Sequence, residues 1–418
     1  MHVRPTHARG PDRLFAFAAA AAIAIVSAGC GAVSEEGSDD SGPLKVALIT
    51  DSSGAVASFG EANINGAEMA VDELNEAGGV DGREVELTTK DSKAEPETGV
   101  QLTRDAILGD EVDAIFGPVS SGVAVAMTDV AAQYETPIFF HTSNSQALTG
   151  ESFHDYAFQV TPNTTMEGRA NAVALAEEPY ERWAVIAPDY EFGHEQSQAF
   201  IEKLEELNPD AEIVKEVFPA LGETDMTSFI NSVLAANPDA VYGALFAGDL
   251  LTFTKQAEPL GFFDEVFFTS LYDTDALSQL KDAAPAGERG YSRAPFFAID
   301  TPQAREFTDA YRERYGEYPS DWAIMAYDAV KLWAEGVENG GAEPDELVEA
   351  LEGYEFESLR GPVEIRATDH QASVPLYGGT ISAKPDPEAG LPTYEETQVI
   401  PGDEVWLSEE EVAELQGS

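Results

Sequence analysis

Residue types that announce a reaction are scarce in this chain. It has 418 residues, with six His and one Cys. His2, His7, His141, His154, His194 and His370 form no H-x-H or H-E-x-x-H pair, so the spacing that would present two imidazoles to a metal is missing. No G-x-S-x-G elbow and no phosphate-binding G-x-x-x-x-G-K loop occurs. Asp and Glu number 77, so a catalytic carboxylate pair picked from the sequence carries no information. No enzyme, cofactor or metal is expected, and an exported hydrolase is the weakest reading. His141, at the end of an apolar run, either lines a cleft or packs in the core. One position offers binding chemistry. Ser121 follows the apolar run Asp113–Phe116 and opens a helical stretch. There free N–H groups and the helix dipole favour an anion, and a Ser also serves as a plain N-cap.

The charge balance narrows the partners. With 23 Lys and Arg against 77 Asp and Glu, the net charge is −54. Such a surface repels phosphate and excludes nucleic acid as a partner. It suits a protein kept hydrated in high salt, a halophilic surface. Hydrophobic residues make up 43% of the chain, enough for packed cores in spite of the charge. A single Cys excludes an intrachain disulfide.

The first residues read as targeting. Arg4, Arg9 and Arg13 precede an apolar run from Leu14 to Val26. Those 13 residues fall short of the roughly 20 that span a bilayer, and they match an export signal. Ser27-Ala28-Gly29-Cys30 resembles a bacterial lipobox, with Ser27 where an aliphatic residue is usual. Cys30 is then the lipid-bearing first residue of the mature chain. Residues 31–42 form a polar, low-complexity tether. The protein is expected outside the cytoplasm, on the outer face of the cell membrane.

From Leu44 onward short apolar runs alternate with stretches of helical spacing. Leu44–Thr50, Glu84–Thr89, Asp113–Phe116 and Pro137–His141 read as strands. The rhythm restarts at Trp183–Ala187, Ile213–Phe218, Ala240–Ala244 and Val266–Ser270. Strand–helix alternation demands parallel strands with helical crossovers. The fold class is therefore α/β, with two doubly wound Rossmann-like lobes. Ligands of open α/β sheets sit at the C-terminal strand ends. The loops there are Asp51–Phe59, Gly117–Gly122, His141–Leu148, Pro188–Gly193, Leu245–Asp249 and Ser270–Asp275. They are rich in Ser, Thr, Asn and aromatics and poor in Lys and Arg.

Several stretches carry a resemblance. They are Gly66-Ala67-Glu68-Met69-Ala70, Asn75 to Arg83 (NEAGGVDGR), Asp91-Ser92, Ile115 to Pro118, Asp189 to Gly193 (DYEFG), Ala326 to Val330 (AYDAV), Arg360-Gly361-Pro362-Val363 and Asp369-His370-Gln371. In this order, over residues 44–384, the chain resembles the type I periplasmic binding proteins of the leucine/isoleucine/valine-binding kind, which serve ABC importers. The resemblance implies a chain that enters each lobe twice: a signal (1–29), a tether (30–43), lobe I (44–161 with 295–362), lobe II (162–294 with 363–384) and a strap or tail (385–418). It implies three crossings, near Phe158–Asn163, Tyr291–Phe297 and Ser358–Ile365, as the hinge. It also implies capture of a small polar ligand by hinge closure, and delivery to an ABC permease by a monomer. The ligand implied first is a branched-chain or other aliphatic amino acid; urea, short amides or aromatic acids are the alternative, as is a ligand sensor of the same fold. Ser121 falls where the family meets the ligand carboxylate, and Thr142 where a backbone carbonyl receives the ammonium. Asn144 replaces the family's Thr, and Phe59, Phe192 and Phe246 fall near aromatics that pack on the ligand. The family's ammonium-pairing Glu is replaced by Leu271. A buried ammonium without a partner is costly, so Asp273, beside Tyr272, or Asp249 either takes that role or the ligand is not a free α-amino acid. Asp273 serves equally well as the cap of a following helix.

Overall fold

A computed structural model describes residues 42–54 and 56–417. The export signal and Cys30 lie outside them. The first sheet has the order β2-β1-β3-β4-β5 and is parallel throughout. Its strands are β1 (Leu44–Thr50), β2 (Val85–Asp91), β3 (Ala114–Phe116), β4 (Ile138–Phe140) and β5 (Ala157–Gln159). β1 is apolar along nearly its whole length and buried on both faces, as a parallel strand covered by helices requires. Phe116, Phe139 and Phe158 stack across β3, β4 and β5 beneath it.

The second sheet repeats the pattern with β6 (Arg182–Ile186), β7 (Glu212–Val217), β8 (Ala240–Gly243), β9 (Phe267–Ser270) and β10 (Arg289–Ser292). A hairpin, β11 (Glu355–Ser358) and β12 (Gly361–Glu364), stands apart from both sheets. Two further strands, β13 (Leu376–Ile381) and β14 (Tyr394–Ile400), join the second sheet antiparallel, giving the order β14-β13-β10-β9-β8-β6-β7. The strand order reverses between β1 and β3 in one sheet and between β6 and β8 in the other, which opens a crevice at each point.

Two expectations change. The segment from Pro385, read as a strap or tail, supplies the edge strand β14 and a capped C-terminal helix, Glu409–Gln416. Its alternating residues gave only a weak strand signal. The third passage between the sheets runs through residues 366–375, because the hairpin occupies the stretch expected to cross. Gln371 braces this passage: its Nε2 donates to the carbonyls of Gln159 (3.3 Å), at the end of β5, and Thr161 (2.9 Å), on the first passage at 160–163.

The helices Ala57–Ala77 and Asp321–Gly340 pack closely against each other on the first sheet. A Cβ on Gly66 would stand 2.0 Å from the carbonyl oxygen of Ala323, so only glycine permits this approach. That contact sets the middle of the first helix against the first turn of the second, the turn that carries Trp322. Among the described residues, no helix is long and apolar enough to cross a membrane.

Candidate ligand-binding site

A cavity of about 570 Å³ opens at the C-terminal strand ends and draws its walls from both sheets. Its size is that of a site for a small organic ligand. The loop after β3 supplies Val119, Ser120, Ser121 and Gly122, and the loop after β4 supplies Thr142 and Asn144. The second sheet contributes Tyr190, Phe192, Phe246, Asp249 and Leu271.

Asp51 shapes the anion-favouring corner. It is fully buried at the end of β1, and its carboxylate accepts the amides of Val119 (3.0 Å) and Ser120 (2.7 Å). The same carboxylate accepts the Ala94 amide (2.8 Å) and the Ser92 hydroxyl. The turn before the helix Ser121–Gln133 is thereby held from behind. Ser120, not Ser121, precedes the helix, and it makes no capping bond with its side chain. Ser121 and Gly122 sit at the positive end of the helix, facing the cavity.

Aromatic rings form the side walls. Phe59 stacks on Trp322 at 4.2 Å between ring centres. Across the cleft Phe192 stacks on Tyr190 at 5.7 Å and meets Phe246 edge-on at 5.4 Å. A Cβ on Gly193 would lie 2.1 Å from the Pro188 carbonyl oxygen, so glycine lets the turn that carries Tyr190 and Phe192 close.

The floor is ionic. The Arg293 guanidinium donates from Nε to Glu167 Oε1 (2.5 Å), from Nη2 to Glu167 Oε2 (3.2 Å) and from Nη1 to the Thr142 carbonyl (2.8 Å). The Arg293 and Glu167 side chains are only 5% and 1% exposed. Arg293 also lies over the Trp322 ring, 5.4 Å from its centre, and borders the cavity. Asn144 Nδ2 donates to Glu167 Oε2 (3.1 Å). The Thr142 hydroxyl is engaged by Asn63 Nδ2 (3.0 Å) and His141 Nδ1 (2.9 Å). His141 is buried behind Thr142, outside the cavity wall, and burial lowers its pKa to about 3, leaving a neutral ring. Asp249 is mostly buried in the opposite wall, where both its oxygens take the Gly222 amide at 3.1 Å. Burial raises its pKa.

The structure thus brings Ser121, Thr142, Asn144, Phe59, Phe192 and Phe246 together around one cavity. Two residues named from the sequence stand elsewhere. Asp273 caps the helix Thr274–Leu280 by accepting the Ala276 amide (2.7 Å), and the Tyr272 hydroxyl bonds Thr254 (2.9 Å) inside the second core. Neither lines the cavity; Leu271 does. Sequence reasoning missed Asp51, Glu167, Tyr190, Arg293 and Trp322. Arg293 had a signal: a basic residue just after an apolar strand, in a chain where basic residues are few.

Comparison with known proteins agrees with this architecture. A family model described as periplasmic binding protein matches residues 43–386. The Leu/Ile/Val-binding protein homolog 4 of Brucella abortus is 25% identical over 388 residues, covering 89% of this chain and 90% of its own. A solute-binding protein of an ABC transporter from Rhodopseudomonas palustris BisB5, solved with 3,4-dihydroxybenzoic acid, superposes with a TM-score of 0.78. It is 24% identical, over 86% of this chain and 98% of that one. A leucine-binding protein from Thermotoga maritima MSB8 gives a TM-score of 0.74 at 24% identity, over 86% and 99% of the two chains.

Proposed function

Since the chain belongs to the periplasmic binding protein family, and is a solute receptor of the ABC-importer kind, we propose that its cleft captures a small carboxylic acid by lobe closure. The observation that carries this reading is the two-sided cavity with the Ser121–Gly122 helix end at its base. An open cleft gives a ligand one wall; a closed one gives both, so the ligand selects the closed state. The permease then reads the closed form. The two sheets with their helices act as the lobes, and the passages at 160–163, 293–301 and 366–375 bend between them. Export, lipidation at Cys30, a halophilic surface and a monomeric state complete the proposal.

Two ligand classes share the carboxylate. Branched-chain and other aliphatic amino acids are the class for which the Brucella and Thermotoga proteins are named. Aromatic and other acids without an ammonium have a specific observation in their favour: the wall opposite Ser121 presents Leu271, and the bound acid of the Rhodopseudomonas protein is a benzoate.

A thermal-shift panel in molar salt, on protein lacking the first 41 residues, tests the reading. A ligand at 100 times its Kd adds about 2.7 kcal/mol of stability. Ser121→Ala is expected to weaken binding of the responding acid by about 1–3 kcal/mol, the cost of one lost polar contact. An unchanged Kd removes Ser121 from the site.

A further inference from the structure

We infer that Arg293 is a resident cation in the seat a ligand ammonium would need, so that the cleft selects carboxylates lacking an α-ammonium. The inference rests on the carboxylate reading above and decides between its two ligand classes.

An α-amino acid carries its two charges on adjacent carbons. When its carboxylate lies at Ser121 and Gly122, its ammonium must find acceptors close by on the same side of the cleft. The acceptors built there include the Thr142 carbonyl and, behind it, Glu167. Arg293 engages both, with three of the five N–H groups of its guanidinium. An incoming ammonium would meet a buried like charge instead of an acceptor, and at short range in a poorly screened site that is strongly unfavourable.

The same arrangement suits an anion. Two guanidinium N–H groups remain beyond the three that Thr142 and Glu167 take. Arg293 borders the same cavity as Ser121, Gly122 and Trp322. Glu167, itself held by Asn144, fixes the guanidinium from behind, so it is ordered before a ligand arrives. The far wall points the same way, since Leu271 offers no charge to an ammonium. Asp249 is the carboxylate that a zwitterion could still reach, from the second lobe. It is already turned toward the Gly222 amide.

Matched pairs that differ only in the ammonium test this directly. Isothermal titration would compare 4-methylpentanoate with leucine, and 3-phenylpropanoate with phenylalanine, with 4-methylpentanamide as the uncharged control. The acid is expected to bind at least about tenfold tighter than its amino acid and than the amide, the size of one charged contact. In Arg293→Gln/Glu167→Gln, which leaves no buried charge unpaired, the acids should lose at least about tenfold and the preference should collapse. Arg293→Gln alone frees Glu167 and should raise leucine affinity, an effect that a merely structural role does not produce. If that variant does not fold, the double variant decides. Leucine binding as tightly as 4-methylpentanoate overturns the inference and leaves the cleft reading standing. Loss of that leucine binding in Asp249→Asn would then assign the ammonium to Asp249. Failure of every ligand to bind overturns both.

Discussion

Two of the buried arginine–carboxylate pairs, Arg293 with Glu167 and Arg360 with Asp328, lie close to the passages between the sheets, and of these two only the first borders the cavity. Arg360 donates from Nε to Asp328 (2.9 Å) and from Nη2 to the Val160 carbonyl (3.1 Å), and the Leu359 amide takes the other carboxylate oxygen (2.8 Å). Its side chain and that of Asp328 are 0% and 1% exposed. Arg293 and Glu167 make the same kind of contact, with a backbone carbonyl as the third partner. The pairing chemistry is nearly identical, so pairing alone does not mark a functional arginine. What separates them is the surrounding space: Arg293 keeps one face on a ligand-sized cavity and an aromatic ring, whereas Arg360 is sealed by the first passage and the hairpin.

The largest effect expected from this contrast is on stability. Arg360→Met leaves Asp328 charged and buried, and should cost about 3–5 kcal/mol. Urea unfolding in molar salt measures it. Arg360→Met/Asp328→Leu removes both charges and should recover most of that loss. Neither variant should change the ratio of acid to amino-acid affinity. A changed ratio would show that the two pairs act as one unit, and the contrast between them would fail.

A second way to sharpen the contrast uses carboxylates that have no arginine of their own. Asp273, Asp275 and Asp321 gather where the helices Thr274–Leu280 and Asp321–Gly340 begin. Asp321 accepts the Ser292 hydroxyl and the amides of Ala294 (2.9 Å) and Thr274 (3.2 Å). Burial first, and then repulsion from Asp321, raises the Asp275 pKa to about 7. The Asp273 pKa is also raised, by burial and then by Asp275. The folded state therefore holds protons that the unfolded chain releases above pH 4 or so. That contribution is present at low pH and is lost as pH rises through 7. Glu195 and Glu288, also raised to about 7 by burial, act in the same direction. Stability should fall between about pH 4 and 7, with Asp275 contributing on the order of 1–4 kcal/mol. Differential scanning calorimetry at fixed molar salt tests this. Asp275→Asn should flatten the slope, and a slope equal to that of the parent protein would exclude Asp275 as its source.

The same contrast explains what the sequence disclosed and what it hid. Sheets and crossovers were legible because runs such as Leu44–Thr50 are apolar on both faces, and parallel strands leave few other arrangements. Ser121, Thr142, Asn144 and the three Phe were legible because strand-end loops are short and the motif spacing locates them. Arg293 was not. It belongs to a passage between lobes rather than a strand-end loop of the binding kind, and its partner Glu167 lies 126 positions away. The Asp273 cap was a local feature, open to two readings until the Ala276 amide was seen to take the carboxylate. β14 was hidden because only its first and last residues are buried, so its alternation is weak.

The smallest effect belongs to a third pair, Arg169 with Glu411, whose side chains are 20% and 40% exposed. It ties the C-terminal helix to the helix Thr164–Leu175, while Gln416 Nε2 reaches the Thr149 carbonyl beside the first sheet (3.2 Å). Partial burial works against the Glu411 carboxylate, but bonds from Arg169 and Ser408 outweigh it and hold the pKa at about 2. A lowered carboxylate pKa stabilises at neutral pH and is lost as pH falls through that value. Solvent screening keeps the contribution small, so Glu411→Gln should cost only about 0.3–1 kcal/mol at neutral pH. The loss should shrink further in molar salt, where the screening length is about 3 Å. Thermal unfolding of the variant and its parent at low and high salt gives both numbers. A loss comparable to that of Arg360→Met would mean that burial does not rank these pairs, and the ordering from sealed through cavity-facing to exposed would have to be abandoned.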